Sequence, residues 1–74
     1  MKQFPAHVPS LFNRGLAKLK MQDYVGAISD FDAVIALEAK MADAWSERGV
    51  AKHLLGKSQE ALNDFNRAAE LEPH

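Results

Sequence analysis

The sequence contains no cysteine, only one tryptophan and one tyrosine, and no excess of basic residues. Without cysteine the chain cannot form a disulfide framework, a cysteine-ligated metal site or a thiolate nucleophile, so packing must stabilise its fold. Nine Lys and Arg against ten Asp and Glu give a net charge of −1. This balance is unlike that of domains that bind nucleic acid through its phosphates. We therefore expect no nucleic-acid partner.

Long apolar runs are also missing. No run approaches the roughly 18 residues that a membrane span needs, and residues 1–10 lack the apolar segment of a secretion signal. We therefore expect no membrane partner and, by default, a cytoplasmic location. The 74 residues suffice for one small domain, with little room for both a core and an enclosed active site.

No arrangement of residues typical of an active site is present. The four serines lack a nucleophile motif, and the carboxylates are spread along polar faces. The histidines at positions 7, 53 and 74 lack partners at metal-ligand spacing. Lys57 and Ser58 follow Gly56 as in a phosphate-binding loop, but Ala51 stands where that motif needs its first glycine. The sequence predicts no enzyme, no metal and no cofactor.

A period of 34 residues organises the chain. Shifting the sequence by 34 positions aligns residues 8–40 with 42–74, and nine of these 33 pairs are identical, against roughly two expected by chance. The identical pairs are Arg14/Arg48, Gly15/Gly49, Ala17/Ala51, Lys18/Lys52, Ala27/Ala61, Asp30/Asp64, Phe31/Phe65, Leu37/Leu71 and Glu38/Glu72. We predict a leader of residues 1–7, a first unit at 8–41 and a second unit at 42–74.

Each unit is predicted to contain two helices joined by a turn. Apolar residues recur at helical spacing on both sides of a break, which falls at residues 22–24 in the first unit and 56–58 in the second. Gly56 can adopt the left-handed backbone conformation that often ends a helix. No segment alternates with a period of two residues, so the predicted fold class is all-α, with two helix–turn–helix hairpins.

The second unit carries tryptophan, glycine, alanine, phenylalanine, alanine and proline at fixed offsets, namely at Trp45, Gly49, Ala61, Phe65, Ala68 and Pro73. With this pattern and period the chain resembles the tetratricopeptide repeat family, whose units stack into α-solenoids. The first unit matches the family pattern at Gly15, Ala27 and Phe31. The second unit departs from the pattern at Arg48 and Lys52, where the family usually has Leu and Tyr. The resemblance implies a non-enzymatic module for protein–protein interaction.

Several repeated residues are expected to be structural. The residues that allow close approach of antiparallel helices, and the aromatic residues beside them, are Gly15, Gly49, Ala27, Ala61, Phe31, Phe65 and Trp45. Arg14 and Asp30 are 16 positions apart, as are Arg48 and Asp64. This recurrence predicts one ion pair across each hairpin, although all four could instead be solvated surface charges.

The resemblance also implies a peptide-binding groove lined by the first helix of each unit. The residues at groove positions are Phe12, Asn13, Leu16, Leu19 and Lys20 in the first unit, and Asp43, Ser46, Glu47, Val50, His53 and Leu54 in the second. Family members that hold acidic chaperone tails use a clamp of Lys, Asn and Arg at fixed offsets, and of these clamp residues only Asn13 is present here. An apolar or basic peptide suits the groove better, unless neighbouring helices cover Phe12 and Leu16.

The junction between the units lacks the usual proline-containing turn. Between Ile35 and Trp45 every residue except Asp43 is a strong helix former, so the second and third helices could fuse into one helix of about 30 residues and form a domain-swapped dimer. Alternatively, Asp43 could cap a new helix after an ordinary turn. The sequence leaves both arrangements open.

The last predicted helix carries apolar residues that a further helix would normally cover. They are Leu62, Phe65, Ala69 and Leu71. Repeat arrays of this type usually need about three units with polar outer faces. We therefore keep a second hypothesis beside peptide binding, in which the chain is an assembly unit that self-associates or packs against adjoining repeats.

Overall fold

A computed structural model describes residues 7–72, which form four α-helices. The helices are α1 (His7–Lys20), α2 (Tyr24–Leu37), α3 (Ala42–Leu54) and α4 (Ser58–Leu71). The described residues include no strand, so the all-α prediction is confirmed. Of the predicted leader, residues 1–6 lie outside the described part, as does Pro73, while His7 begins α1.

The turns inside the two hairpins share one backbone feature. Gly56 has a φ of 94°, as predicted for the residue that ends α3, and Gln22 has a φ of 65° at the equivalent position of the first hairpin. Asp23 then starts α2, because its carboxylate accepts a hydrogen bond of 3.0 Å from the backbone N–H of Gly26. The backbone of Gln22, a residue other than glycine, therefore adopts the same left-handed conformation that the sequence predicted for Gly56 alone.

The junction between the hairpins is a turn and not a continuous helix. The α2 helix ends at Leu37, and the α3 helix begins at Ala42. The indole Nε1 of Trp45 donates a hydrogen bond of 2.8 Å to the backbone oxygen of Ala39 and so ties the turn to α3. Tertiary contacts of this kind override helix propensity, which differs little between residues.

The predicted cap of α3 is wrong. Met41 occupies the N-cap position without a side-chain hydrogen bond, and Asp43 lies one residue further along, in the first turn of the helix. Because α3 already begins at Ala42, the Asp43 carboxylate is past the position from which it could cap. It still favours the helix through its negative charge near the positive end of the helix dipole.

The four helices pack in sequence, α1 on α2, α2 on α3 and α3 on α4, whereas α1 and α3 touch only slightly. Two clusters of buried residues form the core. One contains Val8, Val34 and Ala44, and the other contains Ala27, Phe31 and Ala51. Since each cluster joins α2 to α3, the core holds the two hairpins together.

Both hairpins contain a glycine directly against a phenylalanine ring. A Cβ atom added at Gly15 would lie 2.7 Å from Cε1 of Phe31, and one added at Gly49 would lie 2.7 Å from Cε1 of Phe65. Contacts this short force a neighbour to move. The rings differ in freedom, because Phe31 is 0% exposed and Phe65 is 38% exposed.

We expect Gly15→Ala to destabilise the protein and Gly49→Ala to leave its stability almost unchanged. Alanine raises helix propensity by about 1 kcal/mol at either site. Overpacking against the immobile ring of Phe31 is expected to lower stability by about 1–3 kcal/mol, whereas the ring of Phe65 can turn towards solvent. Urea unfolding followed by circular dichroism measures both variants. Equal losses at the two sites would contradict this difference in ring freedom.

Candidate functional site

A carboxylate on the second helix of each hairpin binds two cations on the first helix. Asp30 accepts hydrogen bonds from Nε and Nη2 of Arg14 at 3.0 and 2.8 Å, and Nζ of Lys18 lies 3.4 Å away. Both Asp30 and its equivalent in the second hairpin are 3% exposed. The Arg14 hydrogen bonds, with Lys18 beside them, lower the pKa of Asp30, although burial opposes this shift.

The second hairpin repeats this arrangement and adds a contact between hairpins. Arg48 donates to Asp64 from Nε and Nη2, both at 2.9 Å, and Lys52 Nζ lies 3.3 Å from Asp64. The remaining nitrogen of Arg48, Nη1, donates to Asp32 on α2 at 2.7 Å. Both predicted arginine–aspartate pairs are thus formed in the structure. Lys52 and its equivalent Lys18 were missed as partners, although their identity in the 34-residue alignment could have indicated them.

Trp45 lies between two arginines on the second hairpin. The Arg48 guanidinium carbon is 4.9 Å from the centre of the indole ring, and that of Arg67 on α4 is 5.8 Å away. Contacts of this length are cation–π interactions. Together with its hydrogen bond to Ala39, they make Trp45 a structural residue that joins α3, α4 and the turn between hairpins.

The predicted groove residues of α1 divide into two groups. Phe12, Leu16 and Leu19 are partly buried and pack against the core. The ring of Phe12 lies 5.7 Å from that of Phe31, tilted by 56°. Asn13 and Lys20 are exposed. The apolar stripe of α1 therefore presents only part of its surface to a ligand.

A pocket of about 320 Å³ opens at the start of α1. It is lined by Val8, Pro9, Phe12, Asn13, Glu38, Lys40 and Met41. Phe12 and Asn13 are predicted groove residues, whereas the other five lining residues were not predicted. Pro9 occupies the position equivalent to Asp43 in the 34-residue alignment, which could have indicated it. Met41 comes close only because the junction turns, so no sequence signal pointed to it.

The equivalent face of α3 is acidic in its first turns, at Asp43 and Glu47, and carries the exposed apolar side chains of Val50 and Leu54 further along. Ser46 and Glu47 are half-buried there, while Asp43, Val50, His53 and Leu54 are exposed. Burial raises the pKa of the Glu47 carboxyl, and the negative charge of Asp43 one turn earlier raises it further. Among the ion pairs of residues 7–72, none involves either carboxylate. A cation placed beside both would therefore relieve an existing repulsion.

Over the part of the chain that the structure describes, no three His, Asp or Glu side chains come together as a metal site would require. Within the same residues, every helix is too short or too polar to cross a membrane.

Comparison with known proteins gives matches to segments of much longer proteins. RNA polymerase II-associated protein 3 of Homo sapiens is 41% identical over 62 residues, which is 84% of this chain and 9% of that protein. Serine/threonine-protein phosphatase T of Trypanosoma brucei brucei is 35% identical over 66 residues, covering 88% of this chain and 14% of the phosphatase. Small glutamine-rich tetratricopeptide repeat-containing protein 2 of Saccharomyces cerevisiae is 26% identical over 72 residues, 97% of this chain and 21% of that protein.

The second hairpin also matches the family model of the tetratricopeptide repeat, over residues 42–74. The match begins at the first residue of α3 and includes α4. The two helical hairpins, their 34-residue period and the similarity to a protein named for this repeat lead to the same assignment. The second hairpin belongs to the tetratricopeptide repeat family, whose members are modules for protein–protein interaction, and the first hairpin repeats its 34-residue pattern.

Proposed function

We propose that this chain is a non-enzymatic module that binds a peptide segment with alternating basic and apolar residues along the first helices, α1 and α3. The observation that carries the proposal is the Asp43–Glu47 pair. Two like charges one helical turn apart, one of them half-buried, are unfavourable without a cation. A lysine or arginine of a bound peptide would supply that cation.

The apolar residues of the peptide would bind in the pocket at the start of α1. The pocket beside Pro9, Phe12 and Met41 has mainly apolar walls, although Asn13, Glu38 and Lys40 also line it, and it is large enough for one or two side chains. It lies on the face of α1 that is equivalent to the acidic face of α3. A peptide extended across both helices would therefore place apolar residues at α1 and basic residues at α3.

We expect a peptide of alternating Lys and Leu to bind more tightly than its counterpart with Glu in place of Lys. Fluorescence anisotropy with labelled peptides measures both affinities. Glu47→Gln should weaken binding of the basic peptide about 3- to 10-fold, as expected for one charge contact of about 1 kcal/mol. The matched control is Glu70→Gln on α4, where the carboxylate pairs with Arg67 and faces solvent. Equal binding of the two peptides would contradict the proposal.

Binding should also weaken at acidic pH. Glu47 has a raised pKa in the free protein, and a bound cation favours its charged form. The basic peptide therefore prefers the ionised carboxylate, and its affinity falls as pH decreases through the Glu47 pKa. The same titration of Glu47→Gln should be flatter. A dependence unchanged by that substitution would assign the effect to another group.

A second candidate function is self-association, and the apolar face of α4 favours it. Leu62 is 51% exposed and Phe65 is 38% exposed, with Ala69 exposed beside them. Exposed apolar patches of this kind mark interaction surfaces.

A further inference from the structure

We propose that two copies of this chain associate head to tail, with α1 of one copy packed on the outer face of α4 of the next, as α3 packs on α2 within the chain. This inference rests on the self-association candidate and adds the interface and its polarity. It uses a different face of α1 from the peptide groove.

The contact between hairpins shows what the outer face of a second helix accepts. Ile28, Phe31 and Ile35 on α2 lie against the core clusters that Ala44 and Ala51 of α3 complete. In this contact Phe31 is fully buried. The face is therefore closed by a first helix that offers two small residues, Ala44 and Ala51, two turns apart.

The α4 helix has the same face without such a partner among the described residues. Shifting the three α2 positions by 34 gives Leu62, Phe65 and Ala69, which are all exposed. Phe65 is 38% exposed although it is identical to Phe31 and touches an equivalent glycine. What α4 lacks is a first helix on its outer side.

The α1 helix carries the matching residues. The positions equivalent to Ala44 and Ala51 of α3, and to Leu55 directly after it, are Ser10 and Ala17 of α1, and Met21 directly after it. All three are exposed, and Met21 is 72% exposed. Ser10 and Ala17 are small, so α1 can approach α4 as closely as α3 approaches α2. Met21 supplies the apolar group at the end of this stripe.

The charges of the two helices differ in sign, although most of them already pair within the chain: Arg14 and Lys18 with Asp30, Glu60 and Asp64 with Lys52, and Glu70 with Arg67. The α1 helix contains three basic residues, Arg14, Lys18 and Lys20, and no acidic residue. The α4 helix contains Glu60, Asp64 and Glu70 against one basic residue, Arg67. The α1 side chain equivalent to Arg48, which reaches Asp32 between hairpins, is Arg14, and it would meet Asn66 of the next copy. The amide oxygen of Asn66 can accept this hydrogen bond from Nη1 of Arg14, the guanidinium nitrogen that does not bind Asp30.

A head-to-tail contact and a symmetric dimer predict different dependences of the assembly's mass on protein concentration. Each copy has one α1 face and one α4 face, so a head-to-tail contact leaves both ends of the pair open. The mass of the assembly should therefore rise continuously with concentration. In a symmetric contact of α4 with α4, it would stop at twice the monomer.

Two single substitutions distinguish these arrangements. Ala17→Glu blocks the α1 face, and Leu62→Glu blocks the α4 face. Both residues are exposed, so neither change disturbs the hairpin core, and circular dichroism checks this. The control is Asn63→Glu, which adds the same charge to an exposed position of α4 outside the proposed face.

Sedimentation equilibrium of the 74-residue chain from about 10 μM to about 500 μM measures the mass. We expect the mass of the wild type and of Asn63→Glu to rise with concentration, and each blocked variant alone to remain monomeric. An equimolar mixture of the blocked variants should give a dimer that grows no further, because one intact α1 face meets one intact α4 face.

Two results would overturn the proposal in different ways. A wild type that stays monomeric at every concentration would exclude both self-association and this interface. A wild type that associates, with a blocked variant that associates equally or a mixture that gives no dimer, would leave self-association standing and exclude the head-to-tail contact. The peptide-binding proposal would be unaffected by either result.

Discussion

Truncating Phe31 to alanine is expected to lower the free energy of unfolding by about 3–5 kcal/mol. The Phe31 side chain is completely buried and lies in one core cluster with Ala27 and Ala51. Its ring also touches Gly15 and Phe12, so it contacts three of the four helices. Small domains are stable by about 5–15 kcal/mol in total, so this loss is a large share. Urea unfolding, followed by circular dichroism and Trp45 fluorescence, measures it.

Phe65→Ala is the matched control, since it removes the same side chain from the equivalent position. Phe65 is 38% exposed, and its partner Gly49 repeats the contact of Gly15. We expect a loss below about 2 kcal/mol, because truncation removes a ring that is only partly withdrawn from water. Both measurements belong at low protein concentration, where association does not contribute.

Equal losses for the two phenylalanines would show that the described difference in burial does not exist in solution. A larger loss for Phe65 at high concentration alone would instead indicate that another copy covers it. The pair of variants thus separates the contribution of the hairpin from the contribution of its neighbour.

The fold could be predicted from local signals in the sequence, whereas the burial of individual side chains could not. The 34-residue period, the glycine at position 56 and the absence of alternation were sufficient to predict two helical hairpins. Phe31 and Phe65 occupy equivalent positions of the two units, yet their exposure differs because only Phe31 has a further helix packed on its outer side within the described residues. Such a difference depends on tertiary neighbours, which a repeat pattern does not encode.

The candidate site was predictable to a smaller extent. The positions of groove residues on the first helices follow from the period, as do both arginine–aspartate pairs. The pocket needs Met41, which comes close to α1 only because the junction turns, and residues 36–42 favour a helix by propensity. The hydrogen bond between Trp45 and Ala39 joins residues six positions apart, a spacing that no helical pattern contains.

Asp64→Asn is expected to lower the stability of the folded chain by about 3 kcal/mol, because it leaves two largely buried cations without their shared anion. The Arg48 side chain is 16% exposed and the Lys52 side chain is 14% exposed. Asparagine keeps the size of the side chain and removes its charge, so cavity formation does not contribute. Arg48 keeps Asp32 and Lys52 keeps Glu60, which limits the loss.

Asp30→Asn makes the same change in the first hairpin and should have a smaller effect. Its partners Arg14 and Lys18 are 61% and 28% exposed, so water can solvate them when the carboxylate is neutralised. The lowered pKa of Asp30 means that its charge stabilises the fold at neutral pH and that this contribution disappears as pH falls through the folded-state pKa. The difference between wild type and Asp30→Asn should therefore be full above about pH 4 and shrink below it. Urea unfolding across pH measures the stability of both variants. If Asp30→Asn lowers the free energy of unfolding as much as Asp64→Asn does, the exposure of the cations does not determine the energy of these pairs.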